Sequence, residues 1–380
     1  MKFCAIICEY NPFHNGHLYQ LREAKRLSGA DAVICVMSGN FVQRGESAIL
    51  NKFTRAKHAV MAGADVVIEL PTIFATSNAE LFAKGAVHIL NSIPNIEFLC
   101  FGTENADPES FLTAARLLND EPLSVSQKIK EYTDNGDSYA KARAKAWENI
   151  LPQEILSTPN NILGVEYTRA LLASNSPIQI LPIQRVGQGY NDSVLQENFS
   201  SASAIRAAIT NGTAIANNVP DFTANDLPNK LENTLDSLEK LAIINTTAES
   251  LKAVCDCTEG LENAFKKAAT SSSSLVDALT SQRYTSARIR RIALQNLLKI
   301  DENLIRDCLQ SPLYLRILAA NKSSKEALLT ISRSTFPVLA RGTDAQVLLA
   351  TAKACHEKDL YAEQIHAILY GEANDRKNFL

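Results

Sequence analysis

Short, predominantly apolar runs recur along the first half of the chain, at residues 3–8, 32–37, 66–70, 96–101 and 178–183. A strand with one wet face alternates apolar and polar residues. These runs do not alternate, so both of their faces must be covered. The intervening stretches at residues 16–28, 53–62, 78–92 and 203–210 have helical periodicity and can supply the covers. The pattern predicts an α/β fold: a doubly wound, Rossmann-like parallel sheet reached through right-handed crossovers. In such a sheet, ligands bind just beyond the carboxyl ends of the strands.

The pattern changes near residue 212. Asn211-Gly212, Asn217-Asn218, Pro220 and Pro228 form a turn-rich connection, and beyond it strand signals nearly vanish. Residues 230–240, 247–254, 261–269, 286–298, 302–308 and 325–331 all read as helices. The expected division is therefore a catalytic α/β domain over 1–212 and a mainly helical domain over 213–380. With 46% hydrophobic and 21% charged residues in 380, the chain has material for a full core. No apolar run approaches the length of a membrane span, and Met1-Lys2-Phe3 leads straight into a core strand, which points to a cytoplasmic protein without membrane contact. Cysteine usage agrees: Cys4, Cys8, Cys35 and Cys100 lie in apolar runs, and Cys255-x-Cys257 lacks a second pair at zinc spacing.

The first strand end carries the strongest chemical signal. Residues 6–18 read IICEYNPFHNGHL, placing His14-Asn15-Gly16-His17 where a helix begins. The first turn of a helix offers unpaired N–H groups and partial positive charge. His14 and His17, three apart, share a face there. Gly16 leaves room for a nucleotide to approach. An H-x-x-H pair alone is more often structural, and the H-E-x-x-H zinc spacing is absent, so no metal site is expected. Position after the first strand favours charge stabilisation on a phosphoryl oxygen.

Three further loops fall at strand ends. Residues 37–45, MSGNFVQRG, combine two glycines, amides and Arg44; residues 101–104 are FGTE; residues 200–206 are SSASAIR. Hydroxyls before a helix explain Ser201 or Ser203 as caps, but with Arg206 one turn on they also make a phosphate-binding candidate. Charge is uneven, although the whole chain carries only −3: residues 281–345 hold eleven Lys or Arg against five acids. Arg283, Arg288, Arg290 and Arg291 cluster beside Tyr284, a composition that suits a nucleic-acid backbone and equally a solvated helix face.

Together, H-x-G-H after the first strand and a late S-x-S-x-I-R resemble the nucleotidyltransferase superfamily related to class I aminoacyl-tRNA synthetases. The longer words EYNPFHNGH, MSGNFVQRGE, GADVVIELP, FGTE, PNNILGVEY, SASAIR and YTSARIRR resemble the bacterial tRNA(Met) cytidine acetate ligase family, over most of the chain. That resemblance implies ATP-dependent activation of acetate as acetyl-adenylate, with Mg2+ on the triphosphate, and acetylation of N4 of the wobble cytidine of elongator tRNA(Met). It implies catalytic roles for His14 and His17. It places ATP along Ile7, Cys8, Glu9, Tyr10, Asn11, Pro12, Phe13, His14, Asn15, Gly16, His17, Leu18, Tyr19 and Gln20, and at Gly102, Asn160, Arg185 and Val186. Asn161 is the alternative to Asn160. Arg283, Arg288, Arg290 and Arg291 become candidates for tRNA contact. Ser47 and Ser203 stand where the family often has proline and threonine. Two rivals are another nucleotidyltransferase of this fold acting on a phosphorylated small molecule, and a non-catalytic nucleotide-sensing RNA-binding protein. The basic helical segment argues against the first, the intact H-x-G-H and SASAIR words against the second.

Overall fold

The structure, a computed structural model, describes residues 1–104, 106–148, 150, 151, 155, 158–185, 199–215, 217–228 and 234–371. The chain runs β1 (Phe3–Cys8), α1 (Asn15–Ser28), β2 (Ala32–Ser38), α2 (Lys52–Met61), β3 (Val66–Leu70), α3 (Ala79–Asn91), β4 (Ile96–Thr103) and α4 (Pro108–Asn119). Then come α5 (Pro159–Ala173), β5 (Gln179–Gln184), α6 (Ala202–Thr210), α7 (Ser286–Leu297), β6 (Leu315–Ala320), β7 (Val338–Leu339) and α8 (Ala350–Tyr370), with shorter helices between.

Among the described residues these seven strands form one sheet in the order β5-β4-β1-β2-β3-β6-β7, and Phe41–Val42 and Glu46–Ser47 form a separate two-stranded hairpin. β5, β4, β1, β2 and β3 are mutually parallel, and β6 alone runs antiparallel to its neighbour β3. Every residue of β1 and β2 is buried. Phe3, Ala5 and Ile7 join the core on one face of the sheet, and Cys4, Ile6 and Cys8 join the core on the other. That is why these runs do not alternate. Phe3, Ile6 and Ile7 each contribute on the order of 1.5–3 kcal/mol of hydrophobic stabilisation. All eight cysteines are free and buried.

The chain order explains the site. From β1 the path goes outward through β2 to β3, then returns to β4 on the opposite side of β1 and continues to β5. The direction reverses between β1 and β4, so the loops leaving those two strands diverge to opposite faces and open a crevice.

One element departs from the sequence reading. Residues 315–320, LRILAA, form a strand within the segment expected to be helical, with Ala320 opposite Val66 and Ile317 opposite Ile68. Arg316 disguised it. Its guanidinium is buried against Glu69 and Glu363, so a charge occupies a core strand position. The sheet therefore draws strands from both sides of the expected boundary at residue 212. Apart from the short β7, the other regular elements described in that C-terminal stretch are helices, ending in α8, whose Asp359 accepts from the Thr72 amide at 2.7 Å. No helix among the described residues is long and apolar enough to cross a membrane.

Candidate active site

The cleft lies at the β1/β4 reversal, and its floor is the β1–α1 turn. His14 is the N-cap of α1: its Nδ1 accepts from the Gly16 amide at 3.1 Å. His17 reciprocates, its Nδ1 accepting from the His14 amide at 3.3 Å. The rings stack at 3.6 Å between centroids, 23° apart. Tyr10 and Phe13 pack behind His17, at 4.8 and 5.7 Å. With Nδ1 of each ring taken as an acceptor, the neutral ring carries its proton on Nε2. Burial, then the charges of Arg185 and Arg206, pull His14 down to about 3. Burial, then His14 and Arg185, hold His17 well below its ordinary value. Both imidazoles are therefore neutral N–H donors at pH 7. Gly16 has a purely internal reason as well: a Cβ there would sit 2.9 Å from His14 Cε1, so glycine is what lets the ring fold over the helix start.

Of the segment singled out in sequence, Ile7, Cys8, Glu9, Tyr10, Asn11, His14, Gly16, His17, Tyr19 and Gln20 line the cleft. Pro12, Phe13, Asn15 and Leu18 do not: Pro12 follows Asn11 through a cis peptide, Phe13 and Leu18 pack in the core, and Asn15 donates to the Asn217 carbonyl at 2.8 Å. Glu9 reaches the cleft with one oxygen held by the Gln43 amide at 2.8 Å, and burial pushes its carboxyl up. The ends of β1 and β2 are tied by Arg55, a fully buried residue that sequence reasoning missed. Its guanidinium donates to the carbonyls of Glu9, Ser38, Gly39 and Leu50. Burial drives it down to about 10.

The β4 wall carries Gly102, where a Cβ would lie 3.5 Å from the Arg185 side chain. Glycine there is not forced by the protein, which leaves it as a flat surface for a ligand. Asn160 lines the cleft and donates to Glu104 at 2.8 Å. Asn161 is fully buried behind it, accepting from the Glu104 amide at 3.1 Å and from Thr103. The geometry thus puts Asn160, not Asn161, on the ligand side. Leu163 and Tyr167, also missed, line the cleft too, and a readable signal existed. With Asn160 they fall at i, i+3 and i+7 on α5, one helical face. Arg185 follows β5 and lines the cleft; Val186 lies outside the described residues.

On the far rim, Ser201 caps α6, accepting from the Ala204 amide at 3.1 Å. Arg206 lines the cleft, held by the Asn11 carbonyl at 2.8 Å, by Glu46 at 3.2 Å and by Ser203 at 3.5 Å. Hydroxyl, guanidinium and imidazoles therefore do share one opening.

The four clustered arginines each have a protein partner. Arg283 pairs with Glu259 at 2.9 Å, Arg290 with Glu46 at 3.2 Å and Arg291 with Asp256 at 3.5 Å. Arg288 donates to the Asp256 carbonyl at 3.0 and 2.8 Å and lies over Tyr284. Nor is the basic stretch one surface. Arg316 is in the core, whereas Lys322 and Lys325 follow Asn321, which bonds to Asp65 where β3 begins, the end of the sheet away from the cleft. Among the described residues no group of three or more His, Cys, Asp or Glu forms a metal cage. The cleft carboxylates Glu9 and Glu46 each hold a protein donor, so the donor set does not fit a protein-held ion.

A strand-end cleft with stacked histidines on a helix start, in this sheet, defines an H-x-G-H nucleotidyltransferase, and a sequence model described as HIGH Nucleotidyl Transferase matches residues 1–379. A tRNA(Met) cytidine acetate ligase of Acetivibrio thermocellus is 41% identical, over 90% of this chain and 89% of its own length. One from Thermoanaerobacter sp. is 38% identical over 97% and 96%. Thermotoga maritima TmcAL, 29% identical, superposes on the whole chain and 97% of its own, with a TM-score of 0.90 for the apo crystal structure and 0.87 for the one with alpha-thio ATP. The chain belongs to the tRNA(Met) cytidine acetate ligase family.

Proposed function

We propose that the protein is an ATP-dependent acetate ligase that makes acetyl-adenylate and transfers the acetyl group to N4 of the wobble cytidine of elongator tRNA(Met), in the cytoplasm. The observation that carries this is the pair of neutral imidazoles at the start of α1, inside a cleft that also holds Arg185 and Arg206, in a chain whose near full-length relatives bear that name. ATP lies across the strand ends, its adenine by Gly102 and Asn160 and its phosphates over His14 and His17. An acetate oxygen attacks the α-phosphorus; the new P–O bond forms as the bond to pyrophosphate breaks. His14 and His17 donate Nε2–H to the α-phosphoryl oxygens as charge builds there, at no cost in reorganisation. Arg206 and Arg185 offset the triphosphate charge. Mg2+ would accompany the nucleotide and supply further positive charge against the triphosphate. The cytidine amine then attacks the acetyl carbonyl carbon, a C–N bond replaces the C–O bond to AMP, AMP leaves with the electron pair, and the amine's proton passes to water. Single-stranded loop bases can be splayed out of their stack for such an attack.

Acetate-dependent exchange of pyrophosphate into ATP tests the first half-reaction without tRNA. His17→Ala should lower it by on the order of 10²-fold; near-normal exchange would remove His17 from the chemistry. Labelled acetate with ATP and bulk tRNA should leave acid-stable label in one tRNA, whereas a requirement for a phosphorylated acceptor, or ATP binding without turnover, would sink the reading.

A further inference from the structure

Glu46 stands on the cleft rim, in a two-residue strand that pairs with Phe41–Val42 to make a small hairpin. Its two carboxylate oxygens are divided between arginines from distant parts of the chain. Oε2 lies 3.2 Å from Arg206 of α6, and Oε1 lies 3.2 Å from Arg290 of α7. The neighbouring Gly45 has φ +73°, and a Cβ there would fall 2.6 Å from the Arg290 carbonyl carbon. Hairpin and α7 therefore touch backbone to backbone, which fixes Arg290 against the rim. Arg206 is, after Arg185, the second cleft cation whose charge reaches His14.

We propose that Glu46 and Arg290 belong to the nucleotide site: Glu46 splits its charge between the two guanidiniums, and Arg290 is a positioning residue for Arg206 rather than an RNA contact. The inference rests on reading the cleft as an ATP site. A carboxylate paired with Arg206 alone would cancel the charge that the triphosphate needs. Shared with Arg290, the trio keeps one net positive charge while Glu46 still orients Arg206. Glu9 and Arg44 are near enough to contribute to the same field and are left unaltered below.

The arrangement makes an opposite-sign prediction for equilibrium binding of ATP, measured without acetate or tRNA. Arg290→Gln brings the trio to zero charge and should weaken ATP on the order of five- to tenfold at low salt. Glu46→Gln brings it to two positive charges, with the Asn11 carbonyl and Ser203 still holding Arg206, and should tighten ATP by a similar factor. The double variant restores one positive charge and should return to within about twofold of the parent, the two opposite effects cancelling. Arg290→Lys keeps the charge and should stay near the parent. Thermal unfolding of each variant shows that it is folded. If Arg290 serves only RNA, Arg290→Gln leaves ATP affinity unchanged. If the trio is only a brace, both single variants weaken ATP and the double is weaker still. Either result overturns the proposal, as does a parent protein that binds no ATP. A parent that binds ATP without acetate-dependent exchange removes the ligase reading and leaves this cycle intact.

Discussion

His14 does two jobs at one position, and they can be separated. As N-cap it accepts a backbone N–H, a role that asparagine fills as well as any residue. In the proposed reaction it would, as a neutral donor, serve the phosphoryl group, which asparagine's amide cannot do from the same geometry. His14→Asn should thus fold with stability within about 1 kcal/mol of the parent at pH 7, while acetate-dependent exchange falls by on the order of 10²-fold. The acid side carries a second signature. The folded His14 titrates at about 3, below its ordinary value near 6.5, so between those pH values the unfolded chain binds the extra proton. Stability then drops as pH falls from 6.5 towards 3. His14→Asn removes that penalty, and its urea midpoint should decline less steeply than the parent's over this window. Parallel declines would mean that His14 is not held neutral by the fold.

At the scale of elements, α8 is what completes the back of the site. Lys52 of α2 and Glu69 of β3 meet Arg316 of β6 and Glu363 of α8 in one buried cluster, with Lys52–Glu363 and Arg316–Glu363 both at 2.6 Å. His366 donates Nε2–H to the Ala48 carbonyl at 2.8 Å, and Tyr370 meets Ser47 at 3.0 Å, so the same helix braces the Glu46 hairpin. The two carboxylates diverge. Burial pushes Glu69 up, whereas in Glu363 the opposing burial is outweighed by Lys52 and Arg316, which hold it at about 2. Glu363→Ala leaves two buried cations sharing Glu69 and should cost about 3–5 kcal/mol at pH 7. A depressed carboxyl stabilises above its ordinary value near 4.5 and loses that effect as pH falls towards 2, so the gap between parent and variant in urea should narrow over that range. A gap that is constant with pH would show that packing, not charge, carries the effect. This layer was hidden in the sequence, unlike the strands and the histidine turn. His14, His17, Gly102 and Arg206 were legible because each sits in a short word at a predicted strand end or helix start, whereas Asn160 came only through the family resemblance. The Lys52–Glu363 and Glu46–Arg290 pairs join residues hundreds of positions apart, and no local period says which distant charges will meet. Arg55 was silent for the related reason that its partners are backbone carbonyls, which leave no mark in side-chain composition.

For the whole molecule, the change in composition at residue 212 marks a change in element type but not the edge of the sheet. Val66, Val67, Ile68 and Leu70 of β3 are all fully buried, and β6 pairs along the side of β3 that faces away from β2. A chain ending at 212 would lack β6, β7, α7 and α8. It would expose a strand edge with two apolar faces, the geometry that recruits another chain. Lys52 and Glu69 would lose Glu363 and Arg316, the Thr72 amide would lose Asp359, and Glu46 would lose Arg290. The nucleotide cleft is thus supported by contacts made after residue 280, and the α/β region and the helical region should unfold together. Two measurements follow. A fragment of residues 1–212 should be aggregated, or collapsed without fixed tertiary signals, and should not bind ATP. The full chain should show coincident urea transitions by far-UV circular dichroism and by fluorescence of its single Trp147, a buried core residue. A soluble, monomeric 1–212 fragment with a dispersed NMR spectrum and parent-like ATP affinity would instead make the helical region an appendage, and the cleft's dependence on Arg290 and α8 would fall with that result.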